Sequence, residues 1–179
     1  NYMHLVDHGR RQIEKTYRRP FFDRMLRSVL GWVLPNSRRF KWAQRAAGIV
    51  SPFADLLPVP LRNMTRLAKK RNVKNKVVAP YDVKSVGEQK YRVALLVGCV
   101  QDNLIPAINQ ATIRLLTRHG CDVVVLPEVG CCGSINHHLG QEELALATVK
   151  ANVETWTSAD QEKPFDAVIS NISGCGTML

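Results

Sequence analysis

With 179 residues, 45% of them hydrophobic, the chain is long enough to bury a core in one domain and carry an appendage. Its net charge of +10 is unevenly placed: residues 1–80 hold 18 Lys+Arg against 4 Asp+Glu, residues 81–179 hold 7 against 11, so the basic character belongs to one half. No secretory signal pattern is visible and the apolar runs fall far short of the ~18 residues that cross a bilayer, so the expectation is a cytoplasmic protein, and a piece of something longer, since it runs from Asn1 to Leu179 and stops just after a Gly-Cys-Gly turn.

The basic half reads as helices. Tyr2, Leu5, Val6, Ile13 and Tyr17 keep a roughly helical period. A second helix is expected to start at Pro20, which suits a first turn, with Phe22, Met25, Leu26, Val29, Leu30 and Val33 as its stripe. Pro35-Asn36-Ser37 stops it and offers Ser37 as the N-cap of a third helix through Phe40, Ala43, Ala47 and Val50. Pro52, Pro58 and Pro60 then cut the chain into short pieces, and Lys69-Lys70-Arg71 opens a basic stretch without apolar period. The expected division is a helical segment 1–67, a linker 68–90 and an α/β domain 91–179. The basic helices suit an acidic partner or an anionic membrane surface, or form a plain solvated face. Nucleic acid ranks lowest, because no reader motif appears. His4 and His8 share a helix face, but no third ligand lies near them in sequence.

The second half reads as βαβ units. Val93–Val97 is a continuous apolar run, as in a strand covered on both faces. Asp102 or Asn103 can cap the following helix, whose expected face is Leu104, Ile108, Ala111 and Leu115, ending at His119-Gly120. Val123–Leu126 is a second strand, 141–158 a helix with Leu144, Ala147 and Ala151 on one side, and Ala167–Ile169 a third strand. This order predicts a parallel sheet with right-handed crossovers.

Strand ends of a parallel sheet share one rim, where ligands bind. Cys99 follows the first strand, Cys131 and Cys132 the second, Cys175 the third, so four thiols converge there. Gly98, Gly130, Gly133, Gly174 and Gly176 flank them and let the backbone approach a bound group closely. Cys121 precedes its strand, belongs to the opposite rim, and reads as a small buried hydrophobe. Four cysteinates suit a tetrahedral zinc or an iron–sulfur cluster; a vicinal Cys131-Cys132 is unusual for structural zinc, and unligated buried thiols are the remaining reading. His137 and His138 follow the pair closely and could orient or tune it from outside the ligand set.

Arg92–Gln101, the Pro106–Gly120 helix, Gly130-Cys131-Cys132-Gly133 with His137-His138-Leu139-Gly140, and Ser173-Gly174-Cys175-Gly176-Thr177 together resemble a cysteine-rich CCG domain, whose pattern is a cysteine, about thirty residues, Cys-Cys-Gly, a longer gap and a final C-x-x-C. The first gap here is 31 residues. Asn1–Arg10 and Arg18-Arg19-Pro20 further resemble the segment after the ferredoxin-like motifs in iron–sulfur subunits of the glycolate oxidase family. The resemblance implies an electron-transfer subunit with a [4Fe–4S] cluster on Cys99, Cys131, Cys132 and Cys175. It also implies partner subunits that carry FAD and oxidise glycolate to glyoxylate, and peripheral contact with the inner membrane or its quinone. One motif cysteine is missing, its place falling on Ile172 or Met178, so an ordinary cubane, zinc or an empty site all stay open. No ferredoxin motif and no second CCG domain occur in this sequence, which reads as a fragment unable to carry the full relay alone.

Overall fold

A computed structural model describes residues 2–68 and 81–178. The basic half is helical: α1 (Tyr2–Thr16), α2 (Phe21–Val33), α3 (Ser37–Val50), a 3₁₀ turn at Ser51–Leu56 and α4 (Val59–Ala68). Two expectations shift here. Pro20 sits outside α2 as its N-cap, with an extended ψ of 149°. Asn36, not Ser37, caps α3: its side-chain oxygen accepts from the N–H groups of Arg38 and Arg39 at 3.0 and 3.1 Å, leaving the Ser37 hydroxyl for another partner. The prolines that were to fragment the chain after residue 50 instead sit in or just before helical first turns, where a missing N–H costs nothing.

The second half is a four-stranded sheet of order β1-β3-β2-β4, with β1 Tyr81–Val83, β2 Tyr91–Leu96, β3 Cys121–Val125 and β4 Ala167–Ser170. β2 pairs parallel with both β3 and β4, as the βαβ reading requires. β1 adds an antiparallel edge, Tyr81 opposite Val125 and Val83 opposite Val123. It falls in the stretch expected to be linker; residues 69–80 of that linker lie outside the described residues. Three residues are too short for a period to show.

Alternation along β2 sorts the core into two layers. Val93 and Leu95 face Ile113 of α6 (Ala107–Arg118), with Cys121, Val123 and Val125. Ala94 and Leu96 face Trp156 of α8 (Glu142–Glu162) and the sulfurs of Cys131, Cys132 and Cys175. Cys121 is thus buried at the start of β3, on the layer opposite the other cysteines.

Both long crossover helices turn a different face inward from the one expected. A short α5 (Gln101–Leu104) ends at Ile105, because Pro106 drives the preceding residue out of helical geometry (φ −142°, ψ 66°), and α6 starts afresh out of phase. Its buried face is Asn109, Ile113 and Thr117, while Ile108 and Leu115 are exposed. Asp102 and Asn103 lie within α5 as buried side chains rather than caps. On α8 the buried set is Ala145, Asn152 and Trp156, and Leu144, Ala147 and Ala151 look outward. In both helices a polar residue occupies the core face, which a count of apolar positions cannot anticipate.

Candidate metal centre

Three turns at the C-terminal rim of the sheet bring the four thiols together. Cys99 follows β2; Cys131 and Cys132 follow β3 and precede α7 (Ser134–His138); Cys175 lies in α9 (Ser173–Gly176), just beyond β4. Cys131, Cys132 and Cys175 are buried and Cys99 packs against them. The Cys99 and Cys131 sulfurs are 3.6 Å apart. Cys132 and Cys175 pack with Cys131 in the same buried cluster. All five cysteines are free.

The contacts divide the thiols electrically. Cys132, held by hydrogen bonds with Cys131 and Cys175 and helped by the Ser134 N–H, is pushed down to about 3. Its neighbour Cys131 is pushed far up by its hydrogen bonds with Cys132 and Cys99. Cys175 is likewise raised by its bond with Cys132 and by burial, and Cys99 is lowered by its bond with Cys131 against the cost of burial. The contacts thus favour the charged form at Cys132 and Cys99 and the neutral form at Cys131 and Cys175.

Backbone clamps fix the turns. Asn103 of α5 donates to the Cys99 carbonyl at 2.5 Å and to the Ser37 hydroxyl at 2.9 Å, tying the first cysteine turn to α3. Asn152 of α8 donates to the Cys131 carbonyl at 2.8 Å and accepts from the Gly130 N–H at 2.9 Å. A further network joins the other two turns: Asn171, after β4, donates to Asn109 at 3.0 Å and to Thr112 at 2.9 Å, and Gln101 donates to Asn171 at 3.0 Å. Gly98 packs so closely that an added Cβ would run into Ile172, which itself lies among the sulfurs. None of these asparagines was a candidate on sequence. The signal that could have found Asn109 and Asn152 is an amide set into a helix face otherwise filled by apolar residues.

His137 and His138 point elsewhere. His137 Nε2 lies 3.3 Å from Asp7 Oδ2 on α1, and His138 Nδ1 lies 3.6 Å from Asp7 Oδ1 and 3.0 Å from Arg10. Burial works against the Asp7 charge, but the His137 hydrogen bond and the charges of His137, His138 and Arg10 prevail and hold its carboxyl below the usual value. The pair therefore joins the helical half to the rim. His4 and His8 gain no third ligand: among the described residues no three or more His, Cys, Asp or Glu side chains stand arranged around a common point as a ready metal cage.

The donors nonetheless fit a soft metal. Sulfurs on one tetrahedral centre with bonds near 2.3 Å would lie about 3.8 Å apart, close to the 3.6 Å between Cys99 and Cys131. The set has no carboxylate, and thiolates select zinc or iron–sulfur clusters over hard cations. Beside Cys99 and Cys131 a cavity of about 400 Å³ opens between the turn after β2, the loop after β3 and Pro35–Arg38 of the helical half.

The cysteine turns lie on one rim of a mostly parallel sheet, and residues 93–179 match the cysteine-rich domain family CCG. Along nearly its whole length the chain is similar to the glycolate oxidase iron–sulfur subunit of Escherichia coli strain K12, 34% identical over 178 residues, 99% of this chain and 40% of that protein. It is 29% identical over 194 residues to the probable glycolate oxidase iron–sulfur subunit of Bacillus subtilis strain 168, covering 99% of this chain and 42% of that one. A lactate utilization protein A of an Exiguobacterium species is 40% identical over 70 residues, 39% of this chain and 29% of that protein. The chain thus spans about two fifths of the first two relatives. No solved structure matches.

Proposed function

We propose that the chain is the cysteine-rich part of an iron–sulfur electron-transfer subunit of a glycolate-oxidase-type oxidoreductase. In this reading Cys99, Cys131, Cys132 and Cys175 hold a [4Fe–4S] cluster, partner subunits carry FAD and take glycolate to glyoxylate, and electrons leave toward a quinone. The observation that carries it is the gathering of four cysteines at one rim, in a chain similar along nearly all its own length to two glycolate oxidase iron–sulfur subunits.

When bound, the cluster would supply one-electron exchange. The chain's residues supply the rest. The turns after β2, β3 and β4 present the thiols, loading displaces the thiol protons, and Trp156, Phe165 and Ile172 pack around the sulfurs and limit water. Residues 1–67 are assigned as a docking segment and 91–179 as the redox domain, with 68–90 as a linker whose Tyr81–Val83 end belongs with the sheet. We assign a cytoplasmic setting with peripheral contact at the inner membrane. No helix among the described residues is long and apolar enough to cross a bilayer.

A second reading, a docking module with zinc or nothing on its cysteines, is supported by the exposed apolar face of α2. Metal analysis of anaerobically prepared protein separates the two. Iron and acid-labile sulfide, with an EPR signal lost in Cys132→Ser, are expected; stoichiometric zinc without iron would establish the docking module instead.

A further inference from the structure

We propose that Asn152 is a positioning residue for the Cys131-Cys132 loop, clamping it to α8 so that the two thiols are held in place at the rim. The inference rests on reading the four cysteines as a metal site and adds a residue outside the ligand set that decides how well that site holds its metal. Asn152 is 2% exposed, in the middle of a 21-residue helix, an expensive place for an amide. Both ends of its side chain are used, the donor on the Cys131 carbonyl and the acceptor on the Gly130 N–H. The Val129–Gly130 and Cys131–Cys132 peptide groups, one on each side of the Gly130–Cys131 peptide, are thereby turned toward the helix.

The loop then has one orientation left. Gly133 rests on the same helix, its ideal Cβ position 2.9 Å from the Ala145 carbonyl. Ala145 and Asn152 are seven residues apart, two turns along one face, so α8 meets the loop at two points and the sulfurs lie between loop and sheet. No other side chain of similar size does the same work at this position. Asp would set a second oxygen against the Cys131 carbonyl, and Leu would leave a buried N–H and C=O unpaired.

The test is anaerobic cobalt(II) titration of the full chain, kept reduced and free of iron, followed by the thiolate-to-cobalt absorption against a competing chelator. Asn152→Ala is expected to bind cobalt about 10–100-fold more weakly than wild type, the usual cost of losing a residue that orients a ligand, and Asn152→Gln to recover part of that loss. Phe40→Leu, a core change in α3 outside the cysteine layer, is expected to lower the melting temperature and serves as the stability control. Wild-type affinity in Asn152→Ala overturns the inference, and so does an equal loss in Phe40→Leu, which would make Asn152 merely structural. Failure of the wild-type chain to bind cobalt marks the failure of the metal reading itself, seen before any variant is made.

Discussion

Gly133 has φ +84°, and its ideal Cβ position falls within contact of the Ala145 backbone oxygen, an atom that cannot swing aside. Any L-residue there takes the left-handed penalty of about 1–2 kcal/mol and also pushes the loop off α8. Gly133→Ala is therefore expected to lower stability by about 2 kcal/mol or more in denaturant titration, and to weaken metal binding beyond what the lost stability explains. An unchanged midpoint would mean that the loop relaxes freely and is held by nothing but its sulfurs. The cysteines themselves were legible in the sequence, because strand ends of a parallel sheet share a rim whatever the side chains do. Asn103, Asn152 and the Asn109–Asn171 pair were not, since an amide in a helix looks the same on paper whether it faces water or a carbonyl across the core. His137 and His138 show the converse limit: five and six residues from Cys132, they nevertheless turn to Asp7, because α7 separates the loop from the histidine faces.

Between elements, Asp122 pins the sheet's antiparallel edge. It stands second in β3, is 1% exposed, accepts from the Ser85 N–H at 2.8 Å and meets Lys84 Nζ at 3.0 Å, so the chain leaving β1 is fastened to the strand it pairs with. The Ser85 hydrogen bond, with Lys84, outweighs burial and holds the Asp122 carboxyl below its ordinary value. A depressed carboxylate contributes stability that is present above the unfolded value near 4 and is lost as pH falls through the lower folded value. Asp122→Asn should therefore cost about 1 kcal/mol at neutral pH and flatten the acid limb of a stability–pH profile. An acid limb identical to wild type would show that other carboxylates carry it. β1 itself escaped the sequence reading because three residues beside a run of lysines carry no period. The crossover helices were found but their inward faces were not, for two reasons: Pro106 resets the phase of α6, and α8 spends its core positions on Ala145, Asn152 and Trp156 while leaving leucines outside.

Across the whole molecule, the helical half is held to the rim by polar ties rather than by a shared apolar core. Arg27 donates to the Leu139 carbonyl at 2.8 Å, Asn136 to the Gly31 carbonyl at 3.4 Å, Asn103 to Ser37, and Asp7 meets His137. Apart from the buried Phe40, many of its larger apolar side chains are left outside. Phe21, Phe22, Met25, Val29 and Trp32 fall within an arc of about 100° on α2, and Phe22 is 76% exposed. Trp32 and Trp42 lie under the guanidinium groups of Arg39 and Arg45, at 4.2 and 5.0 Å, which partly shields rings that no core receives. A contiguous exposed face of this kind adds little to the core that holds the fold. Removing its side chains should therefore leave the fold alone: Phe22→Ser with Met25→Ser is expected to keep the unfolding free energy within about 0.5 kcal/mol of wild type and the thermal midpoint nearly unchanged, as for exposed positions generally, while the fluorescence of an added apolar dye falls. A drop of several degrees in the midpoint would show that these residues are buried within the folded chain after all, and that α2 turns its other face to solvent.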